Sequence, residues 1–183
     1  MRRIETRLPG LVILEPVVHG DERGFFVESY RESAFAKADI SDRWVQDNHS
    51  RSSRGVVRGM HFALPPGQAK LIRCARGVIV DVCVDLRRGS PTYGQWEAVE
   101  LDDRTMRMLY VPVGFAHGYC VVSDIADVVY KCSHYYDPAL EREISVLDPD
   151  VGIVWPVDTL TLSERDRSAP LLRAISDELP FVF

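Results

Sequence analysis

Short apolar runs, broken at close intervals by turn residues, make up most of the chain. The breaks fall at Pro9-Gly10, at 20–24 (Gly-Asp-Glu-Arg-Gly), at Pro65-Pro66-Gly67, at 87–91 (Arg-Arg-Gly-Ser-Pro) and at Asp102-Asp103. Between them lie stretches rich in Val, Ile, Tyr and Phe, at residues 11–19, 25–30, 44–50, 56–62, 69–75, 78–86, 95–101, 106–111, 118–122 and 127–136. Many short strands with this punctuation predict an all-β sandwich or barrel. Arg76-Gly77 between two of the runs predicts a hairpin. Residues 31–39, with Ala34, Phe35 and Ala38 on one side, predict a helix. A second, short helix is expected after Ser163, an N-cap with Asp166 three residues on, limited by Pro170.

Period-2 alternation sorts side chains onto faces. Phe26, Glu28 and Tyr30 share one, and Tyr130, Cys132, His134 and Tyr136 another. Gln46, Asn48 and Ser50 form a neutral polar face, which suits either solvent or a polar pocket. In the run 78–86, Val78, Val80, Val82, Val84 and Leu86 form an apolar face. Opposite them lie Ile79, Cys83 and two acids, Asp81 and Asp85, a pair that suits catalysis or metal binding, or pairing with arginines or water. Arg58 and His61 are three apart, so a flat strand would point them to opposite faces. Gly59 between them is a place for a bulge that realigns one of them.

The 183 residues fit one domain, 1–183, and 46% are hydrophobic, enough for a core. A net charge of −5 without a basic stretch argues against a nucleic-acid partner. No apolar run approaches a membrane span, and Pro9, Gly10 and Glu15 break up the start, so neither a membrane anchor nor a signal peptide is expected. Cys74, Cys83, Cys120 and Cys132 each sit within an apolar run and form no C-x-x-C pair. Buried free thiols in a reducing cytoplasm are therefore expected.

Among five histidines, His61 lies between Met60 and Phe62, and a partly buried imidazole needs a partner to fix its tautomer. His117 closes Pro112-Val113-Gly114-Phe115-Ala116-His117, the P-x-G-x-x-H of the second cupin-barrel motif. The H-x-H of the first motif is missing, since Phe62 and Ala63 follow His61, so a cupin shape without a metal is expected. What remains is His61 as a base, Lys70 as a cation, Tyr130 as an acid, and Arg23, Arg58 and Arg73. This set suits proton abstraction next to a carbonyl, with the arginines suited to a phosphate or diphosphate. Rossmann and P-loop glycine patterns are absent.

The ordered runs DERGFFVESY (21–30), VQDNHS (45–50), VVRGMHF (56–62), QAKLIRC (68–74), GSPTYGQW (89–96), PVGFAHG (112–118), VYK (129–131), DPDVGIVWP (148–156) and LSERD (162–166) closely resemble the dTDP-4-dehydrorhamnose 3,5-epimerase family over residues 4–172. The resemblance implies a cupin-like jelly roll, a homodimer, and neither metal nor redox cofactor. The implied substrate is a dTDP-linked 4-keto-6-deoxyhexose, epimerised at C3 and C5. By motif, His61 is implied as proton acceptor, Asp166 as its orienting partner, Tyr130 as proton donor and Lys70 as the group beside the C4 oxygen. Arg23, Glu28, Gln46, Asp47, Asn48, Arg58, His117, Glu141 and Arg165 are implied in substrate binding. Four positions depart from the family pattern: Met60 for leucine, Arg165 for lysine, Arg142 for glycine and Tyr119 for phenylalanine. The rival readings are a C3 or C5 mono-epimerase, a metal-dependent cupin oxygenase and a non-catalytic sugar-binding cupin.

Overall fold

The computed structural model describes residues 1–183. The alternating runs become strands β1 (Arg2–Glu5), β2 (Val12–Glu15), β3 (Val18–Asp21), β4 (Gly24–Val27), β5 (Gln46–Ser53), β6 (Val57–Ala63), β7 (Lys70–Arg76), β8 (Val78–Asp85), β9 (Trp96–Asp102), β10 (Met108–Val111), β11 (Phe115–Val121), β12 (Ile125–Cys132) and β13 (Glu141–Glu143). The helices are short: α1 (Glu32–Ala36), α2 (Glu164–Arg167) and α3 (Leu172–Ile175). A six-stranded sheet in the order β1-β2-β10-β7-β12-β5 faces a five-stranded sheet in the order β13-β6-β11-β8-β9, and β3 and β4 form a separate hairpin. The strand pairs are antiparallel and the architecture is a cupin-like jelly roll.

The expected hairpin at Arg76-Gly77 does not form. Strand β7 pairs with β10 and β12, whereas β8 pairs with β9 and β11 in the opposite sheet. The chain crosses between sheets at Gly77, whose φ is +81° and where a Cβ would lie 2.2 Å from the carbonyl oxygen of Ile125. Only glycine makes that crossing without displacing the backbone of β12. Elsewhere the run 11–19 divides at Pro16 into β2 and β3, and the first helix stops at Ala36, short of residue 39. Strand β12 ends at Cys132, so His134 and Tyr136 do not continue its inner face.

Strand β8 is covered on both sides, and its apolar residues divide between two layers. Ile79 and Cys83 join the core between the sheets, with Ile72, Cys74, Leu101, Leu109, Phe115 and Val128. Val82, Val84 and Leu86 face outward and are covered by the C-terminal segment, through Ile144, Val146, Leu172 and Phe181. Phe35 of α1 and Ile40 cover the outer face of the six-stranded sheet against Val12, Leu14, Leu71 and Met108. Each large side chain buried this way contributes roughly 1.5–3 kcal/mol, so burial on three layers stabilises the barrel around its site. No helix is long and apolar enough to cross a membrane.

Candidate active site

Residues of both sheets line an open cavity of about 450 Å³, a size suited to a small-molecule site. Strand β6 supplies its first two functional groups. His61 pairs with His117 of β11, but Arg58 pairs with Tyr119, so three steps along β6 match two along β11. This bulge puts Arg58 and His61 on the same wall, as expected for Gly59. Gly59 has φ +141°, and a Cβ there would sit 2.5 Å from the Cα of Gly118. The two glycines let the strands close over the irregularity.

His61 Nε2 lies 2.6 Å from Asp166 Oδ1. Asp166 stands on α2, whose Ser163 Oγ caps the helix by accepting from the Asp166 backbone N–H. The segment before it is docked on the start of β6 by hydrogen bonds from Val57 N to Thr161 O and from Thr161 N to Gly55 O. Burial works to raise the Asp166 pKa. Hydrogen bonds from His61, Ser163 and the Gly59 backbone outweigh it and hold the carboxyl below its usual range. A carboxylate so held fixes the imidazole by one nitrogen. His61 Nδ1 has no protein partner and is not sealed from solvent, so it is left as the working nitrogen.

The six-stranded sheet supplies Tyr130 from β12 and Lys70 from the start of β7, both lining the cavity. Lys70 is only 8% exposed, yet its Nζ has no protein hydrogen bond and opens onto the cavity. Burial pushes the Tyr130 phenol up to about 12, with Cys132, Tyr119 and Glu141 acting in the same sense and Arg58 opposing. The phenol therefore stays protonated at neutral pH, the form an acid needs. On the floor, Ser50 and Tyr119 hydroxyls lie 2.8 Å apart, and Arg58 Nε donates to Ser52 Oγ at 3.1 Å. His117 Nε2 lies 2.9 Å from Asp81 Oδ2. A base with its carboxylate, a protonated phenol and an ammonium group thus surround one volume. That arrangement can remove a proton beside a carbonyl, hold the enolate oxygen and return a proton from another side.

The model of the family described as dTDP-4-dehydrorhamnose 3,5-epimerase matches residues 5–174. The chain belongs to the dTDP-4-dehydrorhamnose 3,5-epimerase family. It is 48% identical to the 3,5-epimerase of Methanothermobacter thermautotrophicus, over 94% of this chain and 95% of that protein. It is 46% identical to the dTDP-4-dehydrorhamnose 3-epimerase of Streptomyces niveus, over 97% of this chain and 86% of that one. The structure of a 3,5-epimerase from Legionella pneumophila in complex with dTDP-4-keto-L-rhamnose superposes with a TM-score of 0.95 at 44% identity, covering 100% of this chain and 98% of that chain.

Of the residues that family resemblance implies, His61, Tyr130, Lys70, Asp166, Arg58, His117 and Arg165 line the one cavity. Arg165 is also held at 2.9 Å, through Nε, by Glu143 of β13. Gln46 and Asn48 alternate inward on β5 and bond each other at 3.1 Å, so the polar face of β5 is turned to the barrel interior and not to solvent. Glu141 begins β13, beside Ala63. Asp47 points the other way, onto the outer face of the sheet, where Lys131 Nζ donates to it at 2.9 Å. Arg23 and Glu28 are not at the cavity of their own chain. Arg23 bonds Asp21 at the tip of the β3–β4 hairpin, and Glu28 bonds Arg31. Sequence reasoning missed Tyr119 and Thr161 as cavity residues. Alternation along β5 placed Ser50 on the right face, but only the cross-sheet distance shows that it meets Tyr119.

Proposed function

We propose that this member of the family epimerises dTDP-4-dehydro-6-deoxy-D-glucose at C3 and C5, giving dTDP-4-dehydro-L-rhamnose. The observation that carries the reading is the His61–Asp166 pair facing Tyr130 and Lys70 across one cavity. His61 Nδ1 takes the proton α to the C4 ketone. The Lys70 ammonium stabilises the enolate oxygen. Tyr130 returns a proton to the carbon from the other side, inverting it, and the same groups serve the second carbon on the far side of the ketone. Asp166 orients the base. Arg58 and Arg165 supply cations for the diphosphate, and His117, Gln46, Asn48 and Glu141 complete the nucleotide-sugar site, with Asp47 contributing through its backbone. Neither metal nor redox cofactor enters these steps.

The working unit is a homodimer of single-domain chains. Phe25 and Phe26 of the β3–β4 hairpin are 59% and 71% exposed, an apolar tip of the kind that marks a docking surface. A hairpin docked on a second copy brings Arg23 and Glu28 to that copy's cavity, which accounts for their distance from their own. Light scattering after size exclusion should give twice the chain mass, and a monomer would contradict it. The four cysteines are free and buried, which fits a cytoplasmic protein.

The test is turnover of dTDP-4-dehydro-6-deoxy-D-glucose by purified protein, with His61→Ala as the control. The variant should lose turnover and keep dTDP binding. Turnover by His61→Ala near the wild-type rate would remove His61 as the base. A mono-epimerase is the second reading, since the 3-epimerase relative is about as similar to this chain as the double epimerases.

A further inference from the structure

Strand β8 carries two carboxylates on one face, and neither side chain is exposed at all. Asp85 is fully provided for. It accepts hydrogen bonds from the Arg87 backbone N–H at 3.0 Å, from Arg87 Nε and Nη2, and from the hydroxyls of Ser90 and Thr92 at 2.6 and 2.7 Å. Burial opposes its ionisation, yet these donors hold it below the usual carboxylate range. Asp85 ties down the turn that follows β8, and that accounts for it.

Asp81, four residues earlier, is treated differently. One oxygen meets His117 Nε2 at 2.9 Å, and the other finds only Cys83 Sγ at 4.0 Å. No arginine pairs with it. Burial pushes its pKa up, against the opposing influence of His117 and then Lys70. A buried carboxylate with one good donor is poor for stability, and an apolar side chain of similar size would serve the barrel better. Its two cationic or imidazole neighbours share one property. His117 Nδ1 and Lys70 Nζ have no protein partner, and neither is sealed from solvent, so both face the cavity. His117 also stands directly opposite His61 in the β6–β11 register. Asp81 therefore lies behind the part of the cavity where the base works.

We infer that Asp81 is a positioning residue for the epimerisation, fixing His117 with Nε2 inward and Nδ1 toward the sugar while its charge balances the Lys70 ammonium beside the enolate oxygen. The inference rests on the epimerase reading of the cavity. It assigns His117 to the sugar end of the site and not to the diphosphate. It also explains why β8 keeps a carboxylate that contributes so little to packing.

Asp81→Asn preserves volume and removes the charge. Its kcat should fall by about 10²-fold, while dTDP binding measured by calorimetry stays at the wild-type value. A role confined to stability would leave kcat of the folded fraction unchanged. Because Asp81 acts through its neighbours, the double variant Asp81→Asn/Lys70→Gln should lose less than the sum of the single losses, in free-energy terms. Wild-type kcat in Asp81→Asn, a loss confined to dTDP affinity, or a fully additive double variant would each overturn the inference. Should Asp81→Asn not fold, His117→Gln, altered at the cavity wall, must show the same fall in kcat with intact dTDP binding, and wild-type kcat there would overturn it equally. Deuterium exchange by the unaltered enzyme keeps the two levels apart. Exchange at C3 or C5 upholds the epimerase reading whatever Asp81→Asn does, and no exchange at either carbon removes both.

Discussion

His61 Nε2 and Asp166 Oδ1 lie 2.6 Å apart, although 105 residues separate them in the chain. The pair exists because a capped turn of helix is pinned onto the first residues of β6. Asp166→Asn keeps the shape but cannot accept in the same way, and it frees the ring to present the wrong nitrogen. Its kcat should fall by on the order of 10²-fold or more, with dTDP affinity unchanged. Steady-state kinetics beside calorimetry checks this, and an unimpaired kcat would separate Asp166 from the mechanism.

Tyr130→Phe removes the proton donor and leaves the base. Overall turnover should drop by roughly 10²–10⁴-fold, while His61 still washes substrate protons out into solvent. The pH profile carries a second check. Burial raises the phenol to about 12, so its acid form is present at neutral pH and is lost only as pH rises toward that value. The wild-type kcat profile should show no loss from this group near pH 10, where an ordinary tyrosine titrates. An alkaline limb near 10 that vanishes in Tyr130→Phe would contradict the upward shift of this phenol.

Gly59→Ala tests the bulge. The new Cβ would meet Gly118 Cα at 2.5 Å on a backbone with φ +141°. Strain of this kind is worth about 1–3 kcal/mol before the clash is relieved. Thermal unfolding should occur at a lower temperature, and kcat should fall because Arg58 and His61 lose their common wall. Wild-type stability and rate together would show that the irregularity is not needed.

Asp127 tests the electrostatics of the outer sheet face. Arg51 grips it with Nε and Nη2 at 2.6 and 2.8 Å, and His49 stands 3.5 Å away. The Arg51 hydrogen bonds hold its pKa down to about 2. A depressed carboxylate stabilises the fold above its unfolded pKa of about 3.9 and loses that contribution as pH falls toward 2. Asp127→Asn should be less stable than wild type at neutral pH, and the gap should close between about pH 4 and pH 2. The effect is modest and salt-sensitive, since Arg51 is largely exposed. Denaturant midpoints across that range decide it, and a gap independent of pH would rule it out.

Much of the site was readable because strand alternation and chemistry coincide. Gln46, Asn48 and Ser50 turned inward together, Gly59 marked the bulge, and Ser163 marked the helix that carries Asp166. The failures have physical causes. Arg76-Gly77 reads as a hairpin from local signals, but the partners of β7 and β8 are set by strands far along the chain. Strand β1 (Arg2–Glu5) has no alternation to announce it and exists because β2 offers it an edge. Of the two acids on β8, Asp85 took the arginine that sequence suggested, in Arg87, while Asp81 took a histidine. Asp47 has its neighbours' character and the opposite face, because a strand turns every second side chain outward.

The most direct measurement is proton NMR in D₂O with dTDP-4-keto-6-deoxy-D-glucose. Deuterium entering at both C3 and C5, and at neither carbon with His61→Ala, is the predicted result. Deuterium at one carbon alone would make the protein a mono-epimerase. No exchange at either carbon would contradict proton abstraction by His61 beside the C4 ketone.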